Sequence, residues 1–250
     1  RTAAARLMSA PSAAAARAAP LAALRRASGH HTALAVFALA AVLAPWLAAW
    51  LAPPFAQPQA YHHFADQRAL FGIPHALNVL SNLGFAAAGL IGLTAFARLR
   101  FVGPGVALRA QWWVLFAGVT LTAVGSAWYH VDPNDATLMW DRLPMAFAFS
   151  GLIAGTLAER APRLAWPLLV VFVLAGTGTV VYWRATGNLL PYLVMQAAFI
   201  LIAVAATALM RAPATLARWL YGAAALYAAA IVSEKLDRTL DTLTGGLISG

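Results

Sequence analysis

The sequence predicts an all-α, polytopic membrane bundle, and three observations predict it. Apolar runs of about 20 residues, the length that crosses a hydrocarbon core of about 30 Å, recur along the whole chain of 250 residues. Charged residues make up only 10% of it, against about 25% in a soluble domain, and its mean hydropathy is +0.73. The links between the runs are short and rich in Pro, Gly and Arg, which interrupt helices rather than continue them.

Seven membrane-spanning helices follow from the runs 32–52, 75–97, 110–130, 138–158, 164–183, 189–210 and 217–236. Before the first lies an Ala- and Arg-rich tail, 1–31, read as a disordered cytoplasmic tail, with a weak amphipathic surface helix as the alternative. The run 32–52 is longer than the apolar core of a signal peptide and is read as an uncleaved helix, although "AQPQA" after it resembles a cleavage site. Between spans stand "PPFAQPQAYHHFADQR", "RLRFVGPGVALR", "VDPND", "ERAPR", "RATGN" and "RAPATLAR".

Charge gives the orientation. The tail and the second, fourth and sixth links carry twelve basic residues, Arg1, Arg6, Arg17, Arg25, Arg26, Arg98, Arg100, Arg109, Arg160, Arg163, Arg211 and Arg218. The other side carries five, Arg68, Arg142, Arg184, Lys235 and Arg238. The positive-inside rule then places the N-terminus in the cytoplasm. The net charge of +9 is accounted for as this topology signal, and no nucleic-acid partner is implied. The lack of Cys excludes disulfides, iron–sulfur centres and thiol catalysis. No protein partner is deducible.

The chemistry concentrates in "GSAWYHVDPNDATLMWDRLPM", residues 125–145. Ionisable groups near a bilayer cost about 2.5–3.5 kcal/mol each at a helix centre, so their presence points to function. Ser126 and His130 are four apart and share a helix face. The breaker-rich Val131–Asp135 turn forces a tight helical hairpin, which brings Asp141 toward His130, with Ser126 one turn deeper. Pro144 is placed in the first turn of the following helix, where its missing N–H costs little. An imidazole, a carboxylate and a hydroxyl suit metal-assisted hydrolysis, in which the ion lowers the pKa of bound water toward about 7. Each residue also has an ordinary structural reading. His130 is then an interfacial hydrogen-bonding residue, Ser126 a small packing residue, and Asp141 with Arg142 an ion pair or a cap. A catalytic zinc takes three protein ligands, and apart from His75 at the first position of the run 75–97, His130 is the only His within a span. His62, His63 and His75 lie on the same side and could in principle reach it, but no spacing selects them.

With those residues in view, the chain resembles the alkaline ceramidase family in its bacterial form, within a superfamily that includes the progestin and adiponectin receptors. The resemblance covers about 61–250 in blocks: "YHHFADQRALFGIPHALNVLSNLGF", "GSAWYH", "LMWDRLPMAFAF", "GNLLPYLVMQ" and "SEKLDRTLDTLTGGLISG". It implies a Zn²⁺-dependent membrane amidase acting on ceramide-like lipids in the inner membrane, with its site near the periplasmic face. His130 would be the first zinc ligand, Ser126 its Ser-x-x-x-His partner and Asp141 the catalytic carboxylate. The remaining two ligands are a His-x-x-x-His pair on a final helix, expected beyond Gly250. The full form would then have eight spans, the extra 32–52 helix and a 53–250 bundle completed by one more. The chain as given is accordingly expected to bind Zn²⁺ poorly and to be inactive.

The resemblance also implies a Ca²⁺ site before the helix bearing Asn78, Ser81 and Asn82. Here the segment offers only Asp66, with His75 near an expected acid, so Ca²⁺ is doubtful. Glu234, Lys235, Asp237, Arg238 and Asp241 end the last span. Glu234, Asp237 or Arg142 could orient a ligand histidine, or Glu234 could simply pair with Arg238. Trp128, Tyr129 and Trp140 fit an interfacial belt or a lipid entrance. The functional case for Asn188, Pro191, Tyr192 and Gln196 rests on the resemblance alone. Two rival functions remain. One is a non-catalytic receptor or lipid-binding protein. The other is a retinal-type photoreceptor, against which Lys235 stands at a helix end among acids.

Overall fold

The structure is a computed structural model that describes residues 13–99, 103–210 and 214–246. Residues 1–12 of the tail and the last four residues of the "SEKLDRTLDTLTGGLISG" block lie outside the described residues. What is described is helical, without strands: α1 (Ala13–Leu51), α2 (Ala76–Ser81), α3 (Leu83–Arg98), α4 (Arg109–Val131), α5 (Asp135–Ala158), α6 (Ala165–Thr186), α7 (Leu190–Leu209), α8 (Ala214–Lys235) and α9 (Asp237–Leu243). Five segments among them are long and apolar enough to cross a membrane: Thr32–Leu51, Ala76–Arg98, Val106–Val131, Pro162–Thr186 and Leu190–Leu209. The runs 138–158 and 217–236 are helices too, α5 and most of α8, but fall outside that set.

The reason differs from run to run. α5 carries Asp135, Asp141 and Arg142 together with small Ser, Gly and Thr residues, which lower its hydropathy. It tolerates them because it is the central helix, packed on α4, α6 and α7, so protein rather than lipid surrounds it. Its Leu138, Ile153 and Leu157 are wholly buried, as are Phe172 of α6 and Met195 of α7. Phe172 meets Phe199 edge-on at 5.3 Å between ring centroids, the arrangement aromatic quadrupoles favour. α1 lies at the periphery against α7 and α6, and α3 against α4.

In lipid, helices gain little by burying apolar surface against one another, so close approach through small residues holds them together. α4 and α5 show it at three levels. A side chain at Gly125 would overlap Trp140 O, one at Gly118 would overlap Ala148, and one at Gly151 would overlap Leu115 and Gln111. Each pair is centred on the Asp132–Pro133 reversal, which fixes the antiparallel register.

Four boundaries differ from the sequence reading. The segment expected to be a disordered tail enters α1, which starts at Ala13, since Ala has the highest helix propensity. The span 75–97 is broken at Asn82, whose side-chain amide donates to Asn78 O at 2.9 Å, diverting a backbone acceptor as Asn does. α5 begins at Asp135 rather than 138. The helical charge cluster after Leu236 forms its own short helix, α9.

Candidate functional site

The early start of α5 has a local cause. Asn134 Oδ1 accepts the N–H groups of Ala136 at 2.9 Å and Thr137 at 3.1 Å. Thr137 Oγ1 reciprocates on the Asn134 N–H at 3.3 Å, which completes a capping box. Asp141 therefore sits in the second turn of α5 and not the first. Pro144 stands inside the helix rather than in its opening turn. Pro144 has no N–H to give the Trp140 carbonyl four residues back, and that carbonyl faces Gly125 of α4.

This register decides which site residues meet. Ser126 and Asp141, both buried, come together, with the hydroxyl beside the carboxylate. His130 stands one turn nearer the surface, about 6 Å along the helix. It is tilted against Phe64 with ring centroids 4.7 Å apart. Its charged and titratable neighbours are His75, Asp237 and Asp66. The sequence reading sets Asp141 level with His130 and Ser126 one turn deeper; Asp141 instead stands beside Ser126, and His130 faces His75, Asp237 and Asp66.

His130 Nδ1 is buried and makes no hydrogen bond, as a nitrogen reserved for a metal or another ligand would be. The nitrogen fits Zn²⁺ as one ligand of a set. Among the described residues, however, no three His, Asp or Glu side chains converge closely enough to hold an ion. His62 is committed elsewhere, Nδ1 to the Tyr129 hydroxyl at 2.9 Å and Nε2 to Asp135 at 3.0 Å. His75 Nδ1 contacts Asp66 O at 2.7 Å.

Arg142 is held by an aromatic box. Its guanidinium lies 4.4 Å from the Trp183 ring centre, 5.1 Å from Tyr192 and 5.7 Å from Tyr61, within cation–π range. Nη2 donates to Gln57 Oε1 at 2.6 Å, while the buried Nη1 has no hydrogen-bond partner. The Tyr61 hydroxyl lies beside both Arg142 and Glu234. Burial, and next the Glu234 carboxylate, hold that phenol protonated far above its ordinary range. Glu234 itself is half-exposed, with Lys235 Nζ 3.9 Å away.

The 52–75 connection closes the site from above. Asp66 accepts from Arg68 Nε at 2.7 Å, from the Arg68 N–H at 3.2 Å and from the Leu77 N–H at 2.9 Å. Burial works to raise its pKa, but these donors and the Arg68 charge outweigh it and hold it below the usual carboxylate range. A carboxylate so engaged staples the loop. Arg68 also donates to the Gly246 carbonyl, and Asp237 accepts the Ala65 N–H at 2.8 Å. Loop and α9 are thereby tied together around a cavity of about 700 Å³ of mixed lining, with His63, Phe64, Gln67, His75, Arg238 and Asp241 among its walls.

A second opening lies on the lipid side. Leu121, Val124, Trp128, Leu143 and Phe147 line a wholly apolar groove of about 340 Å³ between α4 and α5. Trp128 and Trp140 stack across it with centroids 6.1 Å apart. Its wall includes Gly125 and Trp140, the chain neighbours of Ser126 and Asp141.

Gln57, Tyr61, Trp183 and Tyr192 are the participants that motif spacing did not single out as partners of Arg142. The one available signal was that an arginine inside an apolar helix must find partners. No family model, curated protein or solved structure matches the chain.

Proposed function

We propose that this chain is the helical body of a membrane-embedded hydrolase of lipid amides, ceramide-like in substrate, with the water-activating site at Ser126, His130 and Asp141. The observation that carries the reading is the buried Ser126–Asp141 pair set directly behind an apolar groove that opens sideways. In this reading the acyl chain of the substrate lies in the groove, where Gly125 and Trp140, the chain neighbours of the polar pair, form its wall. The blocks that resemble the alkaline ceramidases support it from the sequence side.

In this reading Asp141 takes a proton from water as the water oxygen bonds to the amide carbon. Asp141 returns that proton to the nitrogen as the C–N bond breaks, leaving a carboxylic acid and an amine. Ser126 donates a hydrogen bond to the carbonyl oxygen as charge develops there. His130, whose buried Nδ1 has no hydrogen-bond partner, would be the residue of this chain that holds Zn²⁺. The metal, when bound, supplies a Lewis acid that makes water a nucleophile near neutral pH. Arg142, fixed by its aromatic box, holds a positive charge close to Asp141 and Glu234.

The same proposal takes α5 and α8 as spans, giving seven in this chain and eight in the family form. It sets the N-terminus in the cytoplasm of a bacterial cell and the site near the periplasmic face of the inner membrane.

The test uses the product of the whole gene, purified in detergent micelles, with an N-acyl sphingoid substrate and metal content by mass spectrometry. The expected result is hydrolysis by the wild type and a loss of about 10²–10⁴-fold in Asp141→Asn with metal content unchanged. Undiminished turnover by that variant removes Asp141 from the chemistry. A stable wild type that hydrolyses no lipid amide overturns the enzyme reading in favour of a lipid-binding protein.

A further inference from the structure

The connection between α1 and α2 ends in a feature that the amidase reading does not use. Leu70 and Ile73 pair through Leu70 N–H to Ile73 O at 3.1 Å and Ile73 N–H to Leu70 O at 2.9 Å. They close a two-residue turn over Phe71 and Gly72. Both central residues have positive φ, +54° at Phe71 and +80° at Gly72. Such turns prefer Asn or Gly at the first position, and a bulky residue there is a conformational outlier. Phe71 nevertheless occupies it, and its side chain touches nothing in the chain: it is 102% exposed, with Leu70 41% exposed beside it. A strained backbone that presents an aromatic ring to its surroundings points to a use outside the molecule.

The depth of the turn identifies what it meets. The Ala76 N–H donates to Arg68 O at 3.0 Å, so the base of the turn is fastened to the first residue of the apolar segment Ala76–Arg98. From Arg68 to Phe71 the chain can reach no further than about 10 Å. The interfacial layer on each side of the hydrocarbon is about 5–8 Å thick. Phe71 is therefore tethered within reach of the headgroup layer, where aromatic rings are favoured.

We propose that the Leu70–Ile73 turn is a lipid-surface anchor, with Phe71 and Leu70 inserted among the headgroups. It holds the 52–75 connection, and with it Tyr61 and Asp66, against the bilayer. The inference does not depend on the chemistry at Asp141.

The chain contains no Cys, so single labels are specific. Phe71→Cys, Leu70→Cys and Gln67→Cys are each labelled with the fluorophore NBD and reconstituted in phosphatidylcholine–phosphatidylglycerol vesicles. Gln67 lines the cavity and serves as the aqueous reference. Labels at 71 and 70 are expected to emit to the blue of the label at 67. A doxyl group near the headgroup end of a lipid chain should quench them at least twofold more strongly. If labels at 70 and 71 answer only to aqueous iodide, the turn projects into water and the anchor is refuted. If they are shielded from both quenchers, protein covers the turn, and the proposal fails equally.

Discussion

Two buried serines on facing helices, Ser150 of α5 and Ser126 of α4, show how the two ends of one hairpin divide their work. Ser150 is fully buried, and its hydroxyl lies 2.7 Å from Ala146 O and 2.9 Å from Phe172 O. Its single proton is spent on backbone carbonyls of its own helix and of α6. Ser126 is just as enclosed but has no hydrogen bond to a backbone carbonyl among the described residues, and it faces the Asp141 carboxylate instead. The near end also holds the unpartnered His130 Nδ1 and Arg142 Nη1. A hydroxyl bonded to the backbone is structural, whereas one donating to a carboxylate is released for a substrate oxygen when that carboxylate takes up a proton. The same residue type therefore carries different expectations at the two ends.

The largest contrast is in activity. Ser126→Ala should reduce amide hydrolysis by about 10²-fold, as loss of one oxyanion donor does, with little change in thermal midpoint. Equal activity in the variant and the wild type would erase the distinction between the serines. Next comes Gly125→Val, which forces a side chain into Trp140 O. It should destabilise the hairpin by about 1–3 kcal/mol, read as a lower midpoint and a poorer folded yield in detergent, with Ser126 and Asp141 displaced. Ser150→Ala should cost about 1 kcal/mol of stability and leave turnover intact. A variant equally stable but inactive would reverse the assignment.

The smallest effect lies in the loop. The folded pKa of Asp66 is depressed, so its contribution is present above its unfolded value of about 3.9 and is lost as pH falls through the folded value. Asp66→Asn should lower the midpoint by about 2–4 °C at pH 7. The gap should close as the pH is taken down through the depressed folded value. A gap that persists there means that the amide substitution disturbs packing rather than removing a charge interaction.

Much of this architecture was legible. The apolar runs located the long helices because a bilayer demands about 20 such residues per crossing. The Val131–Asp135 breaker cluster gave the reversal that brings Ser126 to Asp141. What escaped depended on individual side chains competing for backbone groups. Asn134 starts α5 three residues early, which pushed Pro144 into the helix interior and Asp141 one turn deeper. Asn82 breaks what hydropathy reads as a single span. The Arg142 box was illegible for another reason: Gln57, Tyr61, Trp183 and Tyr192 come from three distant stretches, and no local pattern announces their convergence. The fate of Asp66 was hidden likewise, since its partner Arg68 is two residues away but Leu77 lies in the next helix.

The glycine contacts at 118, 125 and 151 make α4 and α5 a single stiff strut. Sliding one helix by a turn would thrust Cβ atoms of larger residues where only hydrogen fits. Outside that strut lie the 52–75 connection and α9, which meet through Arg68 with the Gly246 carbonyl and Asp237 with the Ala65 N–H. A molecule intended to pin those two pieces together belongs in the cavity they share, beside His63, Gln67, Arg238 and Asp241.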